Sequence, residues 1–374
     1  MATLNDYLDW RGDIPFSVSP FNEADNYIIA KIGTADYTGF VSREAISLPV
    51  GVVIQDYFNR YGEDGGYFGA LASPDIGPML RRLPELERFR ELRLSGYVNR
   101  VLPEQTEQFS ALTLTLPDGR HYVSFRGTDD TLAAWKENFM MSLDGTVPAQ
   151  RDAAEYLEWA ASVYPGALIV GGHSKGGNLA VYAAASAAPE VQARISAVYN
   201  NDGPGFAPEF LKSEGYLRIR DRIITLLPQY SIVGTLLTQE DDDHITVVKS
   251  SRAGIAAHDG FNWETCAAGF VRCEAGLSRR SRAFDSTMNE MLEHMDLEER
   301  RVFIDTFFDL LAGSGAVTLT DINENKLRRA VEFGKGLRKE KKVQRFALET
   351  MEQLVKDYAS LVAEDRKEKK KKQI

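Results

Sequence analysis

Residues 167–188 read ALIVGGHSKGGNLAVYAAASAA. An apolar run, ALIVG, leads into Gly172-His173-Ser174-Lys175-Gly176, and a small-residue helix, NLAVYAAASAA, leads out of it. The pentapeptide fits G-x-S-x-G, in which a strand turns sharply into a helix and leaves the serine hydroxyl exposed above the sheet edge. Glycine two residues to either side lets the backbone pass that closely. The helix beyond offers free N–H groups and the positive end of a dipole, suited to a developing oxyanion. The frame predicts Ser174 as a nucleophile. Its rival is a tight Gly-rich turn that binds a phosphate.

Outward from this stretch the chain keeps a regular beat. FSALTLTL (109–116), the turn Pro117-Asp118-Gly119 and HYVSF (121–125) predict a β-hairpin. A helix is expected over 151–163, a strand at ALIVG, a helix over 178–188, and strands at ISAVYN (195–200), RIITLL (222–227) and ITVVKS (245–250). Short β-rich strands alternating with helices imply a mostly parallel sheet covered on both faces. The first hundred residues, rich in Pro and Gly, give weaker signals. Helices are expected through VVIQDYF (52–58) and through LRRLPELERF (80–89), the latter interrupted by Pro84. The expected division is a sheet domain over 1–275, with 1–95 as a cap-like part packed on the sheet, and a helical region over 276–374.

The helical region carries two apolar stripes. One is Phe284, Met288, Met291, Leu292 and Met295; the other is Ala347, Met351, Leu354, Tyr358 and Leu361. Spacings of three and four make each an amphipathic helix. Either it folds back on the sheet or it offers a protein partner or a membrane surface a docking face. The last residues, RKEKKKKQI, read as a solvated basic tail.

A strand ending at Phe125 turns through Arg126, Gly127 and Thr128. Thr128 and the N–H of Lys175 are the expected oxyanion donors, and Arg126 is expected to pair with a carboxylate behind the site. The helix after this loop aligns Leu132, Trp135, Phe139 and Leu143, as a packed core face or as a lid over the pocket. Five histidines compete for the role of base. His173 sits within the pentapeptide with its side chain directed away, His121 and His244 precede strands, and His294 lies in the helical region. His258, in GIAAHDGFNW (254–263), follows a strand, and sites in such sheets lie at the carboxyl ends of strands. The order serine, acid, histidine favours Asp202, in NNDGPGF (200–206), as the acid. A turn aspartate before Gly203-Pro204 is the bland alternative. Asp241, Asp242 and Asp243 read as a solvated loop, and Asp259 is too close in sequence to orient its neighbour.

Composition sets the outer bounds. The 374 residues are 44% hydrophobic and 26% charged, with a net charge of −10. Those values exclude a disordered or collagen-like chain, and the acidic balance argues against nucleic acid as a partner. Two cysteines, Cys266 and Cys273, would sit two turns apart on one helix face, as buried thiols in a reducing compartment. The start lacks a secretory signal and no run is long enough to span a membrane, so a cytoplasmic location is expected.

FRGTDDT…W, GGHSKGGNLA, NNDGPGF and HDGFNW together resemble the lipase class 3 branch of the α/β-hydrolases. With the opening DYLDWRGDIPFSVSPFNEADN they resemble more closely the bacterial Mbeg-like family, over roughly residues 1–275. The resemblance implies an α/β-hydrolase fold, a mostly parallel sheet flanked by helices, with a C-terminal α-helical appendage. It implies Ser174 as nucleophile, His258 as base, and Thr128 and Lys175 as oxyanion donors. One departure stands out: such lipases carry their acid after the next strand, where RIITLLPQYSIVGTLL places Ser231. Either the acid has moved to Asp202, or Ser231 and water support His258, or the triad is impaired. The expected activity is hydrolysis of a small-molecule carboxylic ester or lipid, with no metal or organic cofactor implied. A catalytically weak or inactive binding or scaffold protein of the same fold, and a thioesterase or acyltransferase, are the rivals.

Overall fold

A computed structural model describes residues 1–313 except 64, 67, 69–71, 130, 142–145, 238–243, 280 and 284–296. At its centre is an eight-stranded sheet whose spatial order is the chain order. The strands are β1 (Leu48–Pro49), β2 (Arg93–Leu102), β3 (Glu107–Thr115), β4 (His121–Phe125), β5 (Leu168–His173), β6 (Ile195–Asn201), β7 (Ile223–Pro228) and β8 (Ile245–Val248). β1 through β4 pair antiparallel, and β4 through β8 pair parallel. The expected α/β architecture is therefore present, hairpin included.

Four helices lie ahead of β2: α1 (Leu4–Arg11), α2 (Glu23–Ile32), α3 (Val50–Tyr61) and α4 (Ile76–Arg82). α5 (Leu132–Met140) and α6 (Pro148–Val163) link β4 to β5, and α7 (Lys175–Ser186) with the one-turn α8 (Pro189–Gln192) links β5 to β6. α9 (Pro208–Leu211) and α10 (Glu214–Ile219) link β6 to β7.

Strand order explains where the N-terminal helices go. Crossovers between parallel strands are right-handed, so an order that never reverses sends every crossover helix to one face. On that face Val123, Leu168, Val170 and Val198 pack with Leu157, Leu179 and Tyr216 of α6, α7 and α10. The opposite face would be bare apolar surface without the first helices. Tyr122, Ile169, Tyr199 and Leu226, the alternate residues of the same strands, pack there against Tyr7, Ile28, Ile29 and Ile54. Arg88 secures the loops between these helices. It makes a bidentate ion pair with Asp25, both side chains fully buried, and also donates to the carbonyls of Ile14, Ser19 and Pro20.

Some local expectations change. LRRLPELERF is not one helix: α4 ends at Arg82 and a 3₁₀ turn, Leu83–Glu85, carries Pro84. Neither cysteine lies on a helix. Thr265–Cys266 (β9) and Gly269–Phe270 (β10) form a short antiparallel hairpin turned at Ala267-Ala268, and the second strand opens on Gly269, whose φ of 144° suits only glycine. Cys266 is exposed there rather than buried, and Cys273 is half-buried. The helix Leu297–Gly313 (α11) folds back onto α5 through Lys136 Nζ to Asp305 at 2.8 Å and an edge contact of Phe139 with Phe308. The stripe 284–295, the stripe 347–361 and the basic tail lie outside the described residues. Among the described residues no helix is long and apolar enough to cross a membrane.

Candidate active site

β5 ends at His173, and α7 begins at Lys175, so the direction change falls on Ser174 alone. Its backbone, at φ 60° and ψ −133°, lies where side-chain-bearing residues rarely sit. Among the described residues four non-glycines have positive φ, and Ser174 and Asp202 are two of them. Such strain of about 1–3 kcal/mol per residue persists where surrounding structure enforces it, which is characteristic of functional sites. The enforcing contacts are visible at the two glycines. A Cβ on Gly172 would stand 2.4 Å from Gly176, and one on Gly176 only 2.1 Å from the Phe125 carbonyl. Below the turn, Ser174 N–H donates to Asn201 O at 2.9 Å, and Asn201 Nδ2 donates to Gly172 O at 2.8 Å. The strand carrying Ser174 is thus locked to the strand carrying Asp202.

Asp202 follows β6 and its side chain is fully buried. Oδ2 lies 2.6 Å from His258 Nδ1, while Oδ1 accepts from Ser231 Oγ at 2.5 Å and from Gly234 N–H at 3.2 Å. The carboxylate fixes the His258 proton on Nδ1, which leaves the Nε2 lone pair outward. The His258 side chain is only 11% exposed. Ser231, at the place where the resembling lipases carry their acid, here bonds the carboxylate that holds the histidine. His258 is on the same sheet edge as Ser174, for its ring lies 4.3 Å from that of His173.

The loop after β4 is organised by its own side chains. Asp129 Oδ1 accepts from Thr131 N–H and Oγ at 2.9 and 2.6 Å, which starts α5. Arg126 lies 3.5 Å from Asp129 Oδ2 and donates to Asn99 at 2.9 Å, the structural pairing expected of it. Thr128 Oγ1 accepts from Asn138 Nδ2 at 2.6 Å. As the first residue of α7, Lys175 has an N–H with no carbonyl one turn back to bond. Its side chain does separate work. Lys175 Nζ sits 2.9 Å from Glu137 Oε2, and both side chains are wholly buried. Glu137 also accepts from the N–H groups of Gln108 and Ala149, at 3.1 and 2.9 Å. Burial pushes the Lys175 ammonium below its ordinary range. α5 cannot swing away without leaving those charges unpaired in the interior, so the lid reading of this helix loses ground; Leu143 lies outside the described residues.

The remaining histidines are elsewhere. His121 opens β4 against Tyr164, His244 precedes β8, and His294 is outside the described residues. His173 reaches toward α2, with Lys31 Nζ 3.1 Å from Nδ1. Its pKa falls well below the ordinary histidine value, through burial first and Lys31 second. The sequence reading missed what α2 brings. Asn26 donates to Asn201 Oδ1 at 2.8 Å, and Tyr27 OH accepts from Gly260 N–H at 2.7 Å. The signal available was the pair Asn22 and Asp25, which makes a capping box at the helix start.

A cavity of about 470 Å³ lies apart from these groups, against β2, β3 and α6, lined by Arg43, Tyr97, Arg100, Phe109, Asp152 and Tyr156. None of the residues discussed above lines it. No cluster of three metal-ligating side chains occurs among the described residues.

The model of a family described as Mbeg1-like matches residues 83–309 of the chain. No curated protein matches. Among solved structures, the crystal structure of M37 lipase aligns with a TM-score of 0.35 at 12% identity, over 56% of this chain and 68% of that one. A likeness that slight carries no argument about the site.

Proposed function

The chain belongs to the Mbeg1-like family, and from that premise we propose that it is a serine hydrolase of carboxylic esters, of lipid type, working through an acyl-enzyme on Ser174. The observation that carries the reading is the buried Asp202–His258 pair, 2.6 Å apart, at the sheet edge where Ser174 is held in a strained turn. In this reading Ser174 Oγ attacks the ester carbonyl while His258 Nε2 takes its proton. Asp202 holds the imidazole in the tautomer that can accept it and stabilises the imidazolium that results. The N–H of Lys175 and Thr128, through its N–H or hydroxyl, face the oxyanion. The imidazolium then returns the proton to the departing alkoxide, and the alcohol leaves. Water, deprotonated by the same nitrogen, attacks the acyl-enzyme; the carboxylic acid leaves and Ser174 recovers its proton.

A fluorophosphonate probe tests the nucleophile, since it phosphonylates only an activated serine. Labelling of the full chain should be abolished in Ser174→Ala and retained in Ser231→Ala. A folded wild type that takes no label would overturn catalysis and leave a binding protein. Oxygen esters and thioesters of matched chain length then separate an esterase from a thioesterase.

A further inference from the structure

Helix α2 reaches the His258 loop through the residue that precedes Ser174. Lys31 Nζ lies 3.1 Å from His173 Nδ1, and His173 Nε2 lies 2.7 Å from the His258 carbonyl oxygen. An ammonium group can only donate, so it claims the lone pair on Nδ1 and leaves the ring proton on Nε2. That proton is the one the His258 carbonyl accepts. One turn earlier on α2, Tyr27 OH accepts the N–H of Gly260 at 2.7 Å. The main chain around the proposed base is therefore gripped at its carbonyl and two residues later at an amide, while Asp202 grips the imidazole itself.

The chemistry of this link is costly in a way that plain packing would not be. Lys31 and Tyr27 are buried, and burial pushes the Lys31 pKa down to about 8, offset by the charge of Asp259. Removing an ammonium from water carries a desolvation penalty, and an apolar side chain would fill the space without it. What an apolar side chain could not do is choose the tautomer of His173. The ring of Tyr27 lies edge-on to the His173 ring at 5.4 Å, and that ring in turn lies 4.3 Å from His258, so neither imidazole has room to turn freely.

We propose that Lys31 and His173 are positioning residues for His258: Lys31 sets the His173 tautomer, and His173 Nε2–H holds the His258 carbonyl so that the imidazole stays aligned with Ser174. The assignment rests on the reading of His258 as the base.

Three variants of the full chain test it, by ester kinetics and by the far-downfield proton resonance of the His258 Nδ1–H···Asp202 bond, identified by its loss in His258→Ala. His173→Leu removes the donor. It should lower kcat on the order of 10²-fold with KM unchanged, the penalty for misplacing a reacting group by about 1 Å, and should shift or broaden the resonance. His173→Gln keeps an N–H near the Nε2 position and should stay within a few-fold of wild type. Lys31→Met leaves only the His258 carbonyl to favour that tautomer and should fall between them. If His173→Gln is as impaired as His173→Leu, the role is packing and the proposal falls. It falls equally if His173→Leu, or Lys31→Met where that leucine variant fails to fold, leaves both kcat and the resonance unmoved. If the wild type hydrolyses no ester, the proposed function fails instead, and the resonance alone decides whether His173 holds the histidine.

Discussion

Replacing Asp202 by asparagine changes one atom of a buried group, and the structure predicts which way the new amide faces. Oδ1 accepts from Gly234 N–H and Ser231 Oγ, whereas Oδ2 faces His258 Nδ1. With the amide oxygen left at the Oδ1 place, both donors keep their acceptor and the NH₂ points at the histidine. The reverse placement puts NH₂ against Gly234 N–H and orphans a buried donor, at about 1–3 kcal/mol. That difference favours the first placement by about 5- to 150-fold. An amide donor facing Nδ1 moves the ring proton to Nε2, where it blocks acceptance from Ser174. The loss expected from a trapped tautomer is on the order of 10⁴ in kcat. Assay by p-nitrophenyl ester hydrolysis, with thermal melting to confirm the fold, should show that drop for Asp202→Asn. Ser231→Ala, which removes one donor and spares the carboxylate, should lose only on the order of tenfold. Retention of more than a tenth of wild-type turnover by Asp202→Asn would refute the assignment of the acid.

Two further outcomes bear on stability. Glu137→Gln leaves the Lys175 ammonium buried without its counter-charge and should lower stability by about 3–5 kcal/mol, read from the urea midpoint; an unchanged midpoint would mean the pair is not dry. Burial first, and the neighbouring Asp152 carboxylate second, push the pKa of Glu107 up to about 7. A carboxyl with a raised folded pKa contributes stability that is complete below about pH 4.5 and is lost as pH climbs through about 7. The wild type should therefore lose stability relative to Glu107→Gln across that window, and parallel curves would count against the shift.

How much of this was legible in the sequence varies with how each segment is buried. β3 and β4 show themselves because the hairpin turn and period-two alternation are local signals, and β5 into α7 because the apolar strand, the glycine-flanked serine and the small-residue helix follow one another without a break. α2 was invisible for the opposite reason. Residues 24–32 are all buried, polar ones included, so no exposed face marks the 3.6-residue period. Its Asn26, Tyr27 and Lys31 find partners in residues more than a hundred positions away, which no local pattern records. Asp202 was separable from Asp241, Asp242 and Asp243 by its place at a strand's carboxyl end. That Ser231 would brace it could not be read from spacing, because it depends on how β7 sits beside β6. The two cysteines were misplaced because a seven-residue spacing fits a helix only if no turn, such as the one at Ala267-Ala268, falls between them.

The unreversed strand order bears on how the chain is made. Helices α1 and α2 leave the ribosome before any strand of the sheet, yet the surface they cover is assembled from strands that end at residue 248. At ordinary rates of synthesis that leaves them waiting on the order of tens of seconds, with Ile28, Ile29 and Ile32 open to chaperones. Trimming the gene to the span 83–309 that matches the family would discard these helices. The product would keep every residue of the proposed triad and lose the layer that covers half of its sheet.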